Sequence, residues 1–176
     1  MIKNIQDENN VQIVCLKKLE DLKIKKAVDL GAGNGFLYNS LKKRGIDIVA
    51  SDIKPLFKEC KKADYNKGLP YKNSQFDCII CLGVIESVDN PFFLLKEIKR
   101  IAKPGATIFI STQNNKNIFN RIYYLFTGIP LYAKIYADHK AFFAPRYVPI
   151  LNLYFKKLGL NIKETYYNKG ILPFFR

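Results

Sequence analysis

The chain has no apolar run near the roughly 18 residues that a membrane-crossing helix requires. Its first ten residues, MIKNIQDENN, lack the apolar centre of a secretory signal. A soluble, cytoplasmic protein is the expectation. Histidine is represented by His139 alone, and the four cysteines form no framework. Cys78 and Cys81 make a CxxC, yet they lie in the apolar run FDCIICL. On a strand, positions three apart face opposite ways, and no second Cys or His pair completes a tetrahedral zinc site. Core thiols are expected, and no metal site.

Acids are scarce as well: 15 Asp and Glu stand against 29 Lys and Arg, a net charge of +14. The imbalance is uneven. Residues 113–176 carry ten basic side chains and only Asp138 and Glu164 as acids. Fifteen of the chain's Phe and Tyr residues lie beyond residue 118, so the last third is both basic and aromatic. Such an excess favours nucleic acid, anionic lipid or acidic substrates, and is silent on fold. What is present is otherwise ordinary. Apolar types make up 48% of 176 residues and charged types 25%, enough for one domain with a real core.

Strand and helix patterns alternate along this length. Residues 9–22 have amphipathic spacing, 27–30 form a short strand ended by glycines, and 36–44 form a helix stopped by Gly45. Residues 46–51 are a second strand. Residues 55–62 allow at most two helical turns and leave a residue or two for a third strand near Ala63. Residues 76–82 are the fourth strand. Asn90 caps a helix with Pro91 in its first turn, running to 102 before Pro104-Gly105. Residues 106–112 are a fifth strand, 118–126 a helix, 145–158 a helix closed by Gly159, and 160–167 a late strand. Alternation of this kind predicts an α/β fold, a doubly wound, mostly parallel sheet with helices on both faces, as a single domain over 1–176.

Chemistry begins at Val28-Asp29-Leu30-Gly31-Ala32-Gly33-Asn34-Gly35. Glycines directly after a first strand let a ligand approach the backbone, and the following helix offers unpaired N–H groups. The dinucleotide fingerprint would need a third glycine at position 36, which is Phe36. A dehydrogenase is disfavoured.

VDLGAGNG resembles the first motif of class I S-adenosylmethionine-dependent methyltransferases, an acidic residue, one residue, then Gly-x-Gly-x-Gly. SDI resembles the acidic end of that family's second strand, and ADYNKGLPYKNSQFD its adenine-site segment. CLGVIESVDNPFFLLKEIKRIAKPGATIFISTQN resembles the run from strand four through a Lys-Pro-Gly turn to strand five. Four pieces in family order over about residues 27–114 point to the small-molecule group often called type 11, and to a Rossmann-like methyltransferase fold.

The resemblance implies S-adenosylmethionine as cofactor and S-adenosylhomocysteine as product. Gly31, Ala32, Gly33 and Gly35 would form the loop beneath the methionine and ribose portions, with Asp29 supporting that loop or meeting the methionine amino group. Asp52, beside Ile53, would accept from the ribose hydroxyls, as suits an acceptor-only carboxylate. Asp64, beside Tyr65, would accept from the adenine amino group. Leu82 and Gly83 would line the methyl-transfer face, and Ser111, Thr112 and Asn114 the rim. Asp138-His139-Lys140 resembles a segment near the substrate mouth, which makes His139 the catalytic candidate; Tyr65, Tyr132 and Tyr136 are lesser ones, with core packing as their ordinary role.

Departures from the family pattern carry weight. Glu86-Ser87 replaces the Glu-His that many relatives have after strand four, so any role tied to that histidine falls away. Only eleven residues separate Asp52 and Asp64, which implies a shortened third-strand region. The last antiparallel strand is either short, at residues 171–175, or missing. Residues 115–145 would be a substrate lid. Within them IFNRIYYLFTGIPLYAKIY has no acid, two basic residues and many aromatics, a pattern suited to covering a hydrophobic substrate or to a membrane surface. The expected acceptor is small or lipid-like, with anionic character as an option. RNA methylation is the alternative, disfavoured because CLGVIE is not the Asn/Asp-Pro-Pro-aromatic run of amino-group nucleic-acid methylases. Cofactor binding without catalysis is another alternative. Oligomeric state is left open.

Overall fold

Among the described residues of the computed structural model, five strands form one all-parallel sheet in the order β3-β2-β1-β4-β5. They are β1 (Lys26–Leu30), β2 (Asp47–Asp52), β3 (Cys60–Lys62), β4 (Phe76–Leu82) and β5 (Ala102–Ser111). The structure describes residues 10–112, 118–129 and 148–166. β1 lies at the centre, with Asp29 opposite Ala50 of β2 and Ile80 of β4. Strands covered on both faces read as unbroken apolar runs, and residues 27–30 and 78–81 are all buried.

Side-chain alternation sorts the core into two layers. On one face Ala27, Cys78 and Ile80 pack with Cys15, Leu16 and Leu19 of α1 (Val11–Glu20) and Leu37, Tyr38 and Leu41 of α2 (Phe36–Lys43). On the other, Val28, Leu30, Ile79 and Cys81 pack with Leu94, Leu95, Ile98 and Ile101 of α3 (Pro91–Ile101). Asn90 caps α3 by accepting from the Phe93 N–H, and Pro91 fills its first turn. α4 spans Ile118–Thr127, and α5 (Val148–Lys157) adds Leu151 to the α3 layer. Gly159 ends α5 at φ +66°, with the Leu160 N–H donating to the Phe155 carbonyl.

Cys78 and Cys81 fall in opposite layers, and all four cysteines are buried and unbridged. Burial pushes the Cys78 thiol up to about 12, so it is protonated and unreactive at neutral pH.

Three expectations need correction. Residues 55–59 form no helix: after Pro55 the chain makes one turn, the Cys60 N–H donating to the Phe57 carbonyl, and enters a three-residue β3. Phe57 stacks on Tyr38 at 5.1 Å and holds that turn down in place of a helix. β5 begins at Ala102, which pairs with Phe76, before residues 103–106 bulge out and pairing resumes at Cys78 with Thr107. The late strand expected over 160–167 is irregular through 166 and almost wholly exposed. An alternating pattern makes a strand only where a neighbour completes its hydrogen bonds, and among the described residues none does. Residues 171–175 lie outside the described part.

Candidate functional site

The C-terminal ends of β1, β2 and β4 and the loops after them meet at one edge of the sheet, the crevice where open α/β sheets bind ligands. β1 ends into a loop with three left-handed glycines, Gly31 (φ +74°), Gly33 (φ +52°) and Gly35 (φ +79°). Gly31 and Gly33 differ in kind. A β-carbon on Gly31 would lie 2.3 Å from Val84 Cγ2, whereas one on Gly33 would meet nothing within 4 Å. Gly31 is a packing point, and Gly33 faces open space. Gly83, after β4, also faces open space at φ +67°. Ala32 is buried in the α1–α2 layer. Gly35 is the N-cap of α2 and supplies no side chain to its first N–H groups.

Asp52 closes β2, half-buried. Its Oδ2 accepts from the Gly33 N–H at 3.0 Å and its Oδ1 from the Lys54 N–H at 2.9 Å. A carboxylate offers about four acceptor sites, so two remain. Ile53, beside it, is an exposed apolar side chain. Asp29 is only 2% exposed, and its Oδ2 has no hydrogen-bond partner. Burial first, and the Asp52 charge second, push its carboxyl up to about 7.

Asp64 is half-buried and caps a 3-10 turn (Tyr65–Lys67), accepting from the Asn66 N–H at 3.1 Å, with Lys67 Nζ 3.8 Å away. Tyr65 points inward, 6% exposed, with its hydroxyl on the backbone of Gly31 and Ser51. Its aromatic ring belongs to the α3-side core. Leu82 packs partly into the α1–α2 layer, and the Gly83 N–H donates to Ser111 Oγ at 2.9 Å. Thr112, just past β5, has a buried hydroxyl oxygen without a partner. Glu86 is buried after β4. Asp29, Gly31, Gly33, Asp52, Tyr65 and Gly83 therefore gather at one edge. Asn114, Tyr132, Tyr136 and His139 lie outside the described residues.

Two features of the site escaped sequence reasoning. Tyr65 supports the glycine loop from below, a contact between residues 34 apart with no local signal. Glu97 and Arg100 of α3 clasp the segment after Tyr65: Glu97 accepts from the Leu69 N–H, and Arg100 donates to the Leu69 and Tyr71 carbonyls. The i,i+3 spacing of an acid and an arginine was the available sign, but it also fits an ordinary surface pair.

A family model described as a methyltransferase domain matches residues 14–164. A ubiquinone biosynthesis O-methyltransferase of Dechloromonas aromatica is 30% identical over 129 residues, covering 64% of this chain and 54% of that protein. One of the same name from Pseudomonas fluorescens is 26% identical over 182 residues, covering 92% and 75%. The chain spans about half the length of several such relatives. Among solved structures, a SAM-dependent methyltransferase from Archaeoglobus fulgidus superposes with a TM-score of 0.62 at 19% identity, covering 88% of this chain and 71% of that one. One from Thermotoga maritima gives 0.60 at 22%, covering 88% and 70%. At such identities the likeness concerns the fold.

Proposed function

Because the chain belongs to the class I S-adenosylmethionine-dependent methyltransferase family, we propose that it transfers a methyl group from that cofactor to a small-molecule acceptor. The observation that carries this reading is Asp52, an acceptor-only group at the end of β2 that is aimed onto the Gly33 N–H and has capacity left. The surroundings fit the cofactor. There is open space over Gly33 and Gly83, and Asp29 has a buried oxygen without a partner. In this reading Asp52 holds the ribose hydroxyls with Ile53 beside it, and Asp64 takes the adenine amino group. The backbone of Gly31, Ala32, Gly33 and Gly35 runs under the ribose and methionine portions, and Asp29 meets their positive end. Tyr65 contributes from beneath, and Leu82 with Gly83 borders the transfer face.

The cofactor supplies a methyl carbon activated by a sulfonium, so the protein's contribution is chiefly alignment of donor and acceptor. An acceptor hydroxyl would pass its proton to a base, for which His139 is the candidate. The name shared by the relatives favours an oxygen acceptor of amphiphilic character.

α4 supports the amphiphilic part of this reading and its place in a substrate lid over residues 115–145. Ile118, Ile122, Leu125 and Phe126 follow i, i+4, i+7, i+8 spacing, a single helical face. All are exposed, Leu125 by 77% and Phe126 by 82%, with Arg121 on the flank and no acid on the helix. Such a face suits a lipid-like acceptor or an anionic membrane surface. No helix among the described residues is long and apolar enough to cross a membrane.

Calorimetry with S-adenosylhomocysteine tests the cofactor site, with micromolar affinity expected, about −8 kcal/mol. Methyl-labelled S-adenosylmethionine incubated with separated small-molecule, lipid, RNA and protein fractions tests the acceptor. Label in the small-molecule or lipid fraction is expected, and label confined to RNA or protein would overturn the acceptor class.

A further inference from the structure

The Tyr65 hydroxyl joins three stretches of chain that the proposed cofactor site draws on. The Gly31 N–H donates to Tyr65 Oη at 2.8 Å, and Tyr65 Oη donates to the Ser51 carbonyl at 2.8 Å. Ser51 Oγ lies 3.0 Å from the same oxygen. A phenol has one proton and two acceptor positions. With its proton on the Ser51 carbonyl, both acceptor positions are filled, by the Gly31 N–H and the Ser51 hydroxyl proton. No capacity is left for a ligand. The Ser51 carbonyl also takes the Gly31 and Ala32 N–H groups at 2.9 and 3.1 Å, so Tyr65 completes a knot under the first turn of the loop.

A phenylalanine would fill the same core volume, so packing does not explain the oxygen. From the other side Val84 Cγ2 stands where a Gly31 β-carbon would be, leaving the Gly31 peptide held from two directions. Asp64 precedes Tyr65 directly, and its carboxylate is turned onto the Asn66 N–H of the same 3-10 turn. The loop and the carboxylate side of the site are thus both set by one side chain.

We infer that Tyr65 is a positioning residue of the cofactor site, fixing the glycine loop and the Asp64 turn at the spacing one ligand needs to touch both. This rests on the cofactor reading above. Burial holds the phenol well above its ordinary range, so Tyr65 keeps its proton and donates it to the Ser51 carbonyl. The Tyr65 side chain touches neither acceptor nor reacting atoms; it acts through the backbone it holds.

The test separates affinity from stability. Asp77 ties the Lys26 N–H and the Lys103 ammonium at the far end of β1, at 2.9 and 2.7 Å, so Asp77→Ala loosens the same sheet away from the site. Tyr65→Phe should bind S-adenosylhomocysteine at least tenfold more weakly by calorimetry. Asp77→Ala, with a comparable fall in Tm, should stay within twofold of wild type. Tyr65→Phe within twofold of wild type, or Asp77→Ala weakened as much as Tyr65→Phe, would overturn the inference. Should Tyr65→Phe fail to fold, Ser51→Ala strips one donor from the same hydroxyl; a threefold or larger loss of affinity supports the inference, and unchanged affinity overturns it. Absence of binding to the wild-type protein would overturn the cofactor reading and this inference together, whereas wild-type binding with an unaffected Tyr65→Phe overturns the inference alone.

Discussion

The edge of the sheet between Asp29 and Val84 and the helical region beyond residue 118 treat their groups in opposite ways. At the sheet edge almost every polar group has a fixed partner: Gly31 with Tyr65, Gly33 with Asp52, Gly83 with Ser111. The space beside Gly33 and Gly83 is open, with nothing within 4 Å of where a β-carbon would stand. Beyond residue 118, α4 leaves an apolar face uncovered, and α5 exposes Leu153 on the side away from buried Leu151. On the proposed reading the first region is preorganised for the cofactor, whose binding would then cost little reordering. The second has apolar surface awaiting a partner, which suits an acceptor or a surface that varies. If the first region is the cofactor side and α4 the acceptor side, as proposed, substitutions should separate them.

The largest effect is expected at Gly31. Gly31→Ala forces a side chain into a left-handed backbone and onto Val84, the two strains together amounting to about 2–5 kcal/mol. Thermal melts should show a clear fall in Tm, and binding of S-adenosylhomocysteine should vanish. Gly33→Ala meets no neighbour, so its stability cost is the backbone term alone, about 1–2 kcal/mol. Its new methyl enters the crevice, and affinity should fall more than stability does. If the two variants prove equally unstable, the distinction between packing glycine and cradle glycine is lost.

Asp52→Ala comes next. It removes the proposed ribose acceptor and frees the Gly33 N–H. Calorimetry should show S-adenosylhomocysteine bound roughly 10- to 100-fold more weakly, about 1.4–2.7 kcal/mol. Asp52→Asn keeps one acceptor oxygen and should lose less. An unchanged affinity in Asp52→Ala would remove the ribose assignment.

Asp29 offers a pH test. Its folded carboxyl stands at about 7 against an ordinary value of 3.8. The groups that face it electrostatically are Asp52 on β2, Cys15 on α1, Cys60 on β3, Cys78 and Cys81 on β4, and Tyr71. Because the folded chain holds this proton more tightly than the unfolded chain, the contribution to stability is fully present below about pH 4. It declines as pH rises and is gone above about pH 7. Asp29→Asn lacks that decline. Without ligand it should exceed wild type by on the order of 4 kcal/mol at pH 8 and match it near pH 4, read from urea midpoints. Parallel pH profiles would show that Asp29 is ionised in the folded chain.

What could be read from the residues followed how local each signal was. β4 lies at Phe76–Leu82 as the apolar run FDCIICL indicates, because a strand covered on both faces needs only its own sequence to be apolar. Asn90 and Pro91 place the start of α3 for the same reason: cap and first turn are neighbours in sequence. Crowding of glycines after β1 marked the crevice, yet the difference between Gly31 and Gly33 depends on Val84, more than fifty positions away. Tyr65 looked like a ligand neighbour because Asp64 precedes it; the fold turns its hydroxyl inward onto Ser51. The turn at 55–59 replaced a helix because Phe57 found Tyr38 and Gly35 to pack on, a long-range partner that periodicity does not contain.

The smallest effect on the folded protein is expected on α4. Leu125→Ser with Phe126→Ser changes side chains that are 77% and 82% exposed, so stability should move by no more than about 0.5 kcal/mol per site. Affinity for S-adenosylhomocysteine should also be unchanged, since Asp52 and the glycine loop keep their partners. Two readouts should move: retention on floated vesicles containing anionic phosphatidylglycerol, and KM for an amphiphilic acceptor once label transfer has identified one. Arg121→Glu should reduce vesicle retention further in low salt than in high salt, because surface charge is screened within about 10 Å at 0.1 M ionic strength. Lower Tm in the double serine variant would mean that the stripe packs against the protein itself. Unchanged vesicle retention and acceptor KM at an unchanged Tm would leave α4 outside the acceptor side, and the contrast between the two regions would reduce to the sheet edge alone.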